Sequence, residues 1–192
     1  TLFILMYIVG IIVFKDKNFG RVQVFLNLFI NNGGLIVASV GMTMVLISGG
    51  IDISIGSVVA MTCTLLAWMM EKENIDALPA IIIVLLVGIA FGLFQGWLIA
   101  YLDIQPFIVT LAGMFFARGM TAVISAEMIS IKNETFLKMA NAKLNLPFGG
   151  HENRNGDIIY PYIFLSVIIG LVVLIVMYYM LKYSKFGRSI YA

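Results

Sequence analysis

Residues 77–102 read ALPAIIIVLLVGIAFGLFQGWLIAYL, a stretch without a single Asp, Glu, Lys or Arg. As a helix rising about 1.5 Å per residue it would be about 39 Å long, more than the roughly 30 Å of hydrocarbon in a bilayer. Its apolar residues are continuous rather than alternating, so a helix and not a barrel strand would carry it across.

Working outward from this stretch, further uncharged runs occupy 22–51, 53–70, 104–117 and 158–181, and the third continues past Arg118 to about residue 126. They predict spans near 33–50, 55–70, 78–101, 106–125 and 160–182, preceded by a partial span that ends at Phe14. Residues 24–31 (VFLNLFIN) are too short and too polar at their ends to cross, and predict a helix lying at the interface. The expected architecture is all-α, a polytopic membrane helix bundle of about six spans. It forms one domain over residues 1–192, with no repeat of solenoid period and no low-complexity linker. The chain opens at Thr1 with an apolar stretch already under way, so the first span reads as cropped; Lys15, Asp16 and Lys17 then close it as the end of a span, not as a signal cleavage site.

Composition points the same way. The 192 residues are 61% hydrophobic and 11% charged, whereas soluble domains carry roughly a quarter charged residues. A net charge of +2 with no stripe of Lys or Arg excludes a nucleic-acid footprint. Cys63, the single cysteine, can form neither an internal disulfide nor a metal cluster. His151, the single histidine, sits in a polar loop near Glu152 and Asp157, so no metal site and no Ser-His-Asp triad is expected. No GxxxxGK(S/T) phosphate loop occurs; if transport uses ATP, another subunit binds it.

Residues 126–160 read as the one substantial extramembrane loop. Its Asn133-Glu134-Thr135 matches a glycosylation sequon, a pattern that recurs by chance. The C-terminal tail carries Lys182, Lys185 and Arg188 with no acid, which favours the cytoplasm, and alternation then puts the long loop outside. The same alternation puts Lys15, Lys17 and Arg21 outside, against the positive-inside tendency. The loop's Lys132, Lys138, Lys143 and Arg154 are matched by Glu127, Glu134, Glu152 and Asp157, so charge alone leaves the topology open.

Several polar residues stand where lipid is expected. Residues 48–57 (SGGIDISIGS) interrupt the apolar chain with paired glycines, Asp52 and three hydroxyls. An ionisable group at such a place normally faces a protein interior or a water-filled cavity, which makes Asp52 a functional candidate. The alternative is a tight helix-helix turn, with Asp52 or Ser54 capping the helix that begins near Ile55. Gly88, Gly92 and Gly96 recur every four residues and predict a face for close helix packing, with Gln95 beside it. Asp103, Gln105 and Pro106 predict a short reversal, with Pro106 in the first turn of the next helix. Thr110 and Arg118 follow on that helix and predict a shared broad face, Arg118 near enough to the outer end to snorkel.

The combination of Gly41-Met42-Thr43, residues 48–57, residues 105–119 (QPFIVTLAGMFFARG) and Ile129-Ser130-Ile131 resembles the permease subunits of bacterial ABC importers for monosaccharides, of the ribose and galactofuranose type. Segments 110–119 and 129–131 are most similar to the galactofuranose importers. The resemblance covers essentially the whole chain. It implies a multi-pass permease of the bacterial plasma (inner) membrane with its C-terminus in the cytoplasm, paired with a second permease as homo- or heterodimer. A periplasmic sugar-binding protein would deliver the substrate, and cytoplasmic ATP-binding subunits holding ATP and Mg would drive transport. No cofactor and no catalytic residue is implied on this chain.

Residues 185–192, with Phe186, Gly187 and Arg188, resemble the segment that leads toward the ATPase, and the chain is expected to lack the coupling helix and later spans. Gln95 stands where the family commonly has Asn. The implied mechanism is alternating access, with Asp52, Ser54, Ser57, Gln95, Thr110 and Arg118 as candidate residues of the sugar path. Two other classes remain open: an intramembrane aspartyl protease using Asp52 and Asp103, and a passive channel.

Overall fold

The computed structural model describes residues 2–14, 19–147, 150–152 and 158–191. Expectations placed on Thr1, Lys15, Asp16, Lys17, Gly149, Arg154, Asp157 and Ala192, and on the side chain of His151, fall outside the described residues. The chain is an all-α membrane helix bundle. Its helices are α1 (Leu2–Val13), α2 (Val22–Ile47), α3 (Ile55–Glu71), α4 (Ala77–Leu102), α5 (Pro106–Ile124), α6 (Glu134–Ala140), α7 (Leu165–Tyr183) and α8 (Lys185–Tyr191). Among the described residues four of them, α2, α4, α5 and α7, are long and apolar enough to cross a membrane; α1 and α3 are apolar but shorter.

Residues 24–31 do not form a separate interfacial helix, because α2 runs unbroken from Val22 to Ile47. Polar side chains in and beside this stretch bond within the helix: Gln23 Nε2 donates to Asn27 Oδ1 at 2.8 Å, and Asn32 Nδ2 donates to the Leu28 carbonyl at 2.7 Å. With those groups bonded locally, the helix has no reason to end there. It ends instead at Gly49, whose φ of +79° is left-handed. The Gly49 amide donates to the Leu46 carbonyl and the Gly50 amide to the Val45 carbonyl, the paired bonds of a Schellman stop.

The chain divides into two compact units, residues 1–37 with 140–176 and residues 38–139 with 177–192. In the first, Tyr7 meets the rings of Phe19 and Phe25. Gly33 lies against buried Val167, and a Cβ on Gly170 would stand 3.5 Å from the Gly33 carbonyl, so α2 and α7 cross here on small residues. The stretch 126–160 is not plain loop. It contains α6, and its strand β1 (Lys143–Asn145) pairs antiparallel with β4 (Tyr162–Phe164), while β2 (His151–Glu152) pairs with β3 (Ile158–Ile159). Gln23 holds this edge: its Oε1 accepts the Tyr162 amide at 2.8 Å. The last span therefore begins at Leu165 rather than near 160, its first amide donating to the Ala142 carbonyl.

In the second unit α3 packs chiefly on α5 and less extensively on α4. Met69, Met70, Ala77 and Ala80 form its apolar core, with Trp68, Val84 and Phe136 against it. Glu71, at the end of α3, accepts the backbone amides of Lys132 and Asn133 at 2.7 and 3.0 Å, and Asn133 Oδ1 in turn accepts the Phe136 amide and caps α6. The sequon asparagine is thus a helix cap.

Candidate functional site

The α4–α5 reversal is as short as the sequence predicts: Asp103 ends α4 in a left-handed conformation, φ 53°, and Pro106 opens α5. This turn marks one end of the helical hairpin, and depth can be counted from it. Gly50 lies level with it, since a Cβ on Gly50 would stand 3.6 Å from Pro106 Cβ. Thr110 Oγ1, one turn or about 6 Å along α5, shares its one proton between the Ile51 carbonyl at 3.2 Å and the Phe107 carbonyl at 3.3 Å. Ser54 faces Gln95 at 3.4 Å, about two turns or roughly 10 Å inside the end of α4. Residues 50–54 therefore descend without helical structure between the ends of two spans. This explains why α3, with 17 residues, stops short of a full crossing.

Non-helical backbone at that depth is tolerated only where its polar groups find partners or line a cavity. Asp52 supplies much of what is needed. Its Oδ1 accepts the Ser54 amide at 2.8 Å and the Ser54 hydroxyl at 2.7 Å, an Asx-type turn that replaces a missing helical bond. The hydroxyl gives its one proton to Asp52 and accepts from Gln95 Nε2, so the order of donation runs Gln95 to Ser54 to Asp52. The Ser54 carbonyl then accepts the amides of Ser57 and Val58 and starts α3. Ser54 occupies the N-cap position, but its side chain makes no capping bond; the expected cap is corrected, because the hydroxyl is committed to the carboxylate.

Ser54 is 1% exposed, and Ser57, Gln95 and Thr110 are buried with it in this unit. Asp52 is half-buried. Its second carboxylate oxygen has no hydrogen-bond partner among the described residues, which leaves one strong acceptor beside a chain of amide and hydroxyl groups. Such a set suits a ligand rich in hydroxyls.

Of the residues singled out from sequence, Asp52, Ser54, Gln95 and Thr110 come together, and Ser57 lies one turn further along α3. Arg118 does not join them. It is exposed, whereas Thr110 is buried. Eight positions at about 100° each leave the two side chains roughly 80° apart around α5, so the shared face is corrected. Close packing on Gly88, Gly92 and Gly96 is not found either: among the described residues no atom lies within 4 Å of a Cβ placed on any of them. The glycine that matters here is Gly113, where a Cβ would overlap the Gln95 amide. Sequence reasoning missed it; its signal was a small residue on α5 opposite the only amide of α4.

Beside Gln95, a cavity of about 480 Å³ opens between α4 and α5, lined by Phe91, Phe94, Leu98, Ile108, Val109 and Phe116 among others. Among the described residues Gln95 is the one polar side chain on its wall, so this space suits an apolar occupant and not a hydroxylated solute. Phe186, Gly187 and Arg188 lie in α8; Gly187 is buried, and a Cβ on it would overlap the Leu181 carbonyl.

Residues 24–192 match the family described as "Branched-chain amino acid transport system / permease component". The chain is 35% identical over 174 residues to the inner membrane ABC transporter permease protein YjfF of Escherichia coli K12, covering 91% of this chain and 49% of that protein. It is 34% identical over 193 residues to the fructose import permease protein FruG of Bifidobacterium longum NCC 2705, covering 100% of this chain and 54% of that one. Against the ribose import permease protein RbsC of Escherichia coli K12 it is 31% identical over 192 residues, 100% of this chain and 56% of the relative. The chain spans about half the length of these curated relatives. No solved structure matches it.

Proposed function

The chain belongs to the branched-chain amino acid transport system / permease component family, and from that premise we propose that it is part of the permease of an ATP-driven monosaccharide importer of the bacterial plasma membrane. The relatives named for ribose and fructose import support a sugar as the substrate; within that class we assign a galactofuranose-like or ribose-like monosaccharide. The observation that carries the reading is the descent of residues 50–54 between α4 and α5, which takes Asp52, Ser54, Gln95 and Thr110 below the end of the spans.

In this mechanism a periplasmic binding protein supplies affinity, and the permease supplies a polar passage between itself and a second permease. Cytoplasmic ATP-binding subunits, which hold ATP and Mg, drive the change of access. The free oxygen of Asp52 accepts from sugar hydroxyls, while the Gln95 amide and the hydroxyls of Ser57 and Thr110 offer further partners. The segment with Phe186, Gly187 and Arg188 lies on the cytoplasmic side and leads toward the part that docks the ATPase. This chain does no covalent chemistry.

Uptake of labelled galactofuranose, ribose and fructose by cells carrying the intact system is the test. Asp52→Asn is expected to lower uptake by about tenfold, as loss of a charged hydrogen-bond acceptor would. Uptake that persists after ATP depletion overturns the importer in favour of a passive channel. The protease reading requires Asp52 and Asp103 to share a proton; Asp52 is tied to Ser54, and Asp103 is exposed at the end of α4. Peptide cleavage lost in Asp52→Asn or Asp103→Asn, with sugar uptake intact, would reverse that judgement.

A further inference from the structure

The corner between α7 and α8 is built around a single serine. Ser184 Oγ donates to the Met180 carbonyl at 2.6 Å and accepts the Gly187 amide at 3.1 Å, and the Arg188 amide donates to the Ser184 carbonyl at 3.3 Å. Gly187 lets the turn close on Leu181, where any side chain would overlap the backbone. This tight corner brings Arg188 and Tyr191 around the same open groove as Tyr178, Leu181 and Lys182, a space of about 750 Å³.

The groove is cationic. Pro161 to Ala192 contains no Asp or Glu, so nothing nearby in sequence cancels Lys182 and Arg188. Lys182 Nζ is held rather than loose, 3.2 Å from Tyr178 Oη and 5.5 and 5.4 Å from the Tyr178 and Tyr183 rings. Along the last turns of the apolar helix α7, Tyr178 meets Tyr179 edge-on and Tyr179 stacks on Tyr183, the pattern of an aromatic belt where hydrocarbon gives way to headgroups. A belt at this place sets the groove at the depth of lipid phosphates, with Leu181 as its apolar wall.

We propose that this corner binds the headgroup of an anionic phospholipid, Lys182 and Arg188 taking the phosphate and the tyrosine hydroxyls its remaining acceptors. Arg offers a fork matched to phosphate oxygens, and an ammonium already steered by two rings loses little freedom on binding. The assignment is independent of the sugar carried.

The test is native mass spectrometry of the full-length protein released from bilayers of equal phosphatidylglycerol and phosphatidylethanolamine. One phosphatidylglycerol retained above the phosphatidylethanolamine background is expected. Retention falls by at least about tenfold in Lys182→Gln/Arg188→Gln, two cations at roughly 1 kcal/mol each. It returns in Lys182→Arg/Arg188→Lys, which keeps both charges and shows that the corner still folds. Lys185→Gln, whose side chain does not border the groove, leaves retention unchanged. Equal retention of the two lipids, or an equal fall in Lys185→Gln, overturns the site as mere bulk charge. Capture of the ATPase subunit in place of phosphatidylglycerol, by a photoreactive group at Tyr191 in the intact complex, overturns it as a protein interface.

Discussion

Gln95 and Gly96 are adjacent in α4, yet Gln95 is buried against Ser54 and Gly113, while a side chain on Gly96 would stand in open space, as it would on Gly88 and Gly92. The difference lies in what each residue demands. An amide in an apolar helix leaves donors and acceptors unpaired at a cost of several kcal/mol unless a partner is found, so the chain itself must provide one. Glycines every four residues only permit an approach. They create no debt if no helix comes, and a face of that kind is available to a helix from outside the chain. Where close crossings do occur, at Gly33 with Gly170 and at Gly113, no repeat announces them.

The comparison breaks most sharply at Asp52. Asp52→Leu strips the Ser54 amide and hydroxyl of their acceptor, leaving two buried donors at about 1–3 kcal/mol each. A fall of the unfolding midpoint in detergent and near-complete loss of uptake are expected; Asp52→Asn, which keeps an acceptor, should retain the midpoint. Gly113→Val comes next. Its side chain displaces the Gln95 amide, so uptake should drop by about tenfold while the helices persist by circular dichroism, the cost of overpacking being roughly 1–3 kcal/mol. Thr110→Val removes one bond to the Ile51 carbonyl, worth about 0.5–1.5 kcal/mol, and should lower uptake by only a few-fold. At the far end, Gly88→Ala/Gly92→Ala/Gly96→Ala should leave the unfolding midpoint level or higher, because alanine is the better helix former by about 1 kcal/mol per site. If the triple variant instead destabilises the isolated chain, the glycine face is packed and the contrast collapses.

Much of this was legible beforehand because bilayer depth and helix rise are fixed quantities. Uncharged runs located the spans α4 and α5 almost to the residue, and Asp52, Ser54, Gln95 and Thr110 stood out because lipid offers them nothing. What escaped notice depends on partners remote in sequence or on local repair. Residues 24–31 read as a separate interfacial helix because the stretch is short and polar at its ends, although Asn27 and Asn32 take part in bonds within an unbroken α2. The β1–β4 pairing, and with it the late start of α7, requires residues that only folding brings together. Arg118 was grouped with Thr110 by sequence spacing, although 3.6 residues per turn separates them by nearly a quarter turn.

The descent of residues 50–54 also constrains how the protein is made. The Ile51 carbonyl and the Ser54 hydroxyl rely on Thr110 and Gln95, residues synthesised well after them. When α3 first leaves the translocation machinery, its leading segment has no lawful place in the bilayer. Residues 50–54 gain these partners only once α4 and α5 have been made. The descent is therefore a joint that closes only after later helices have been made.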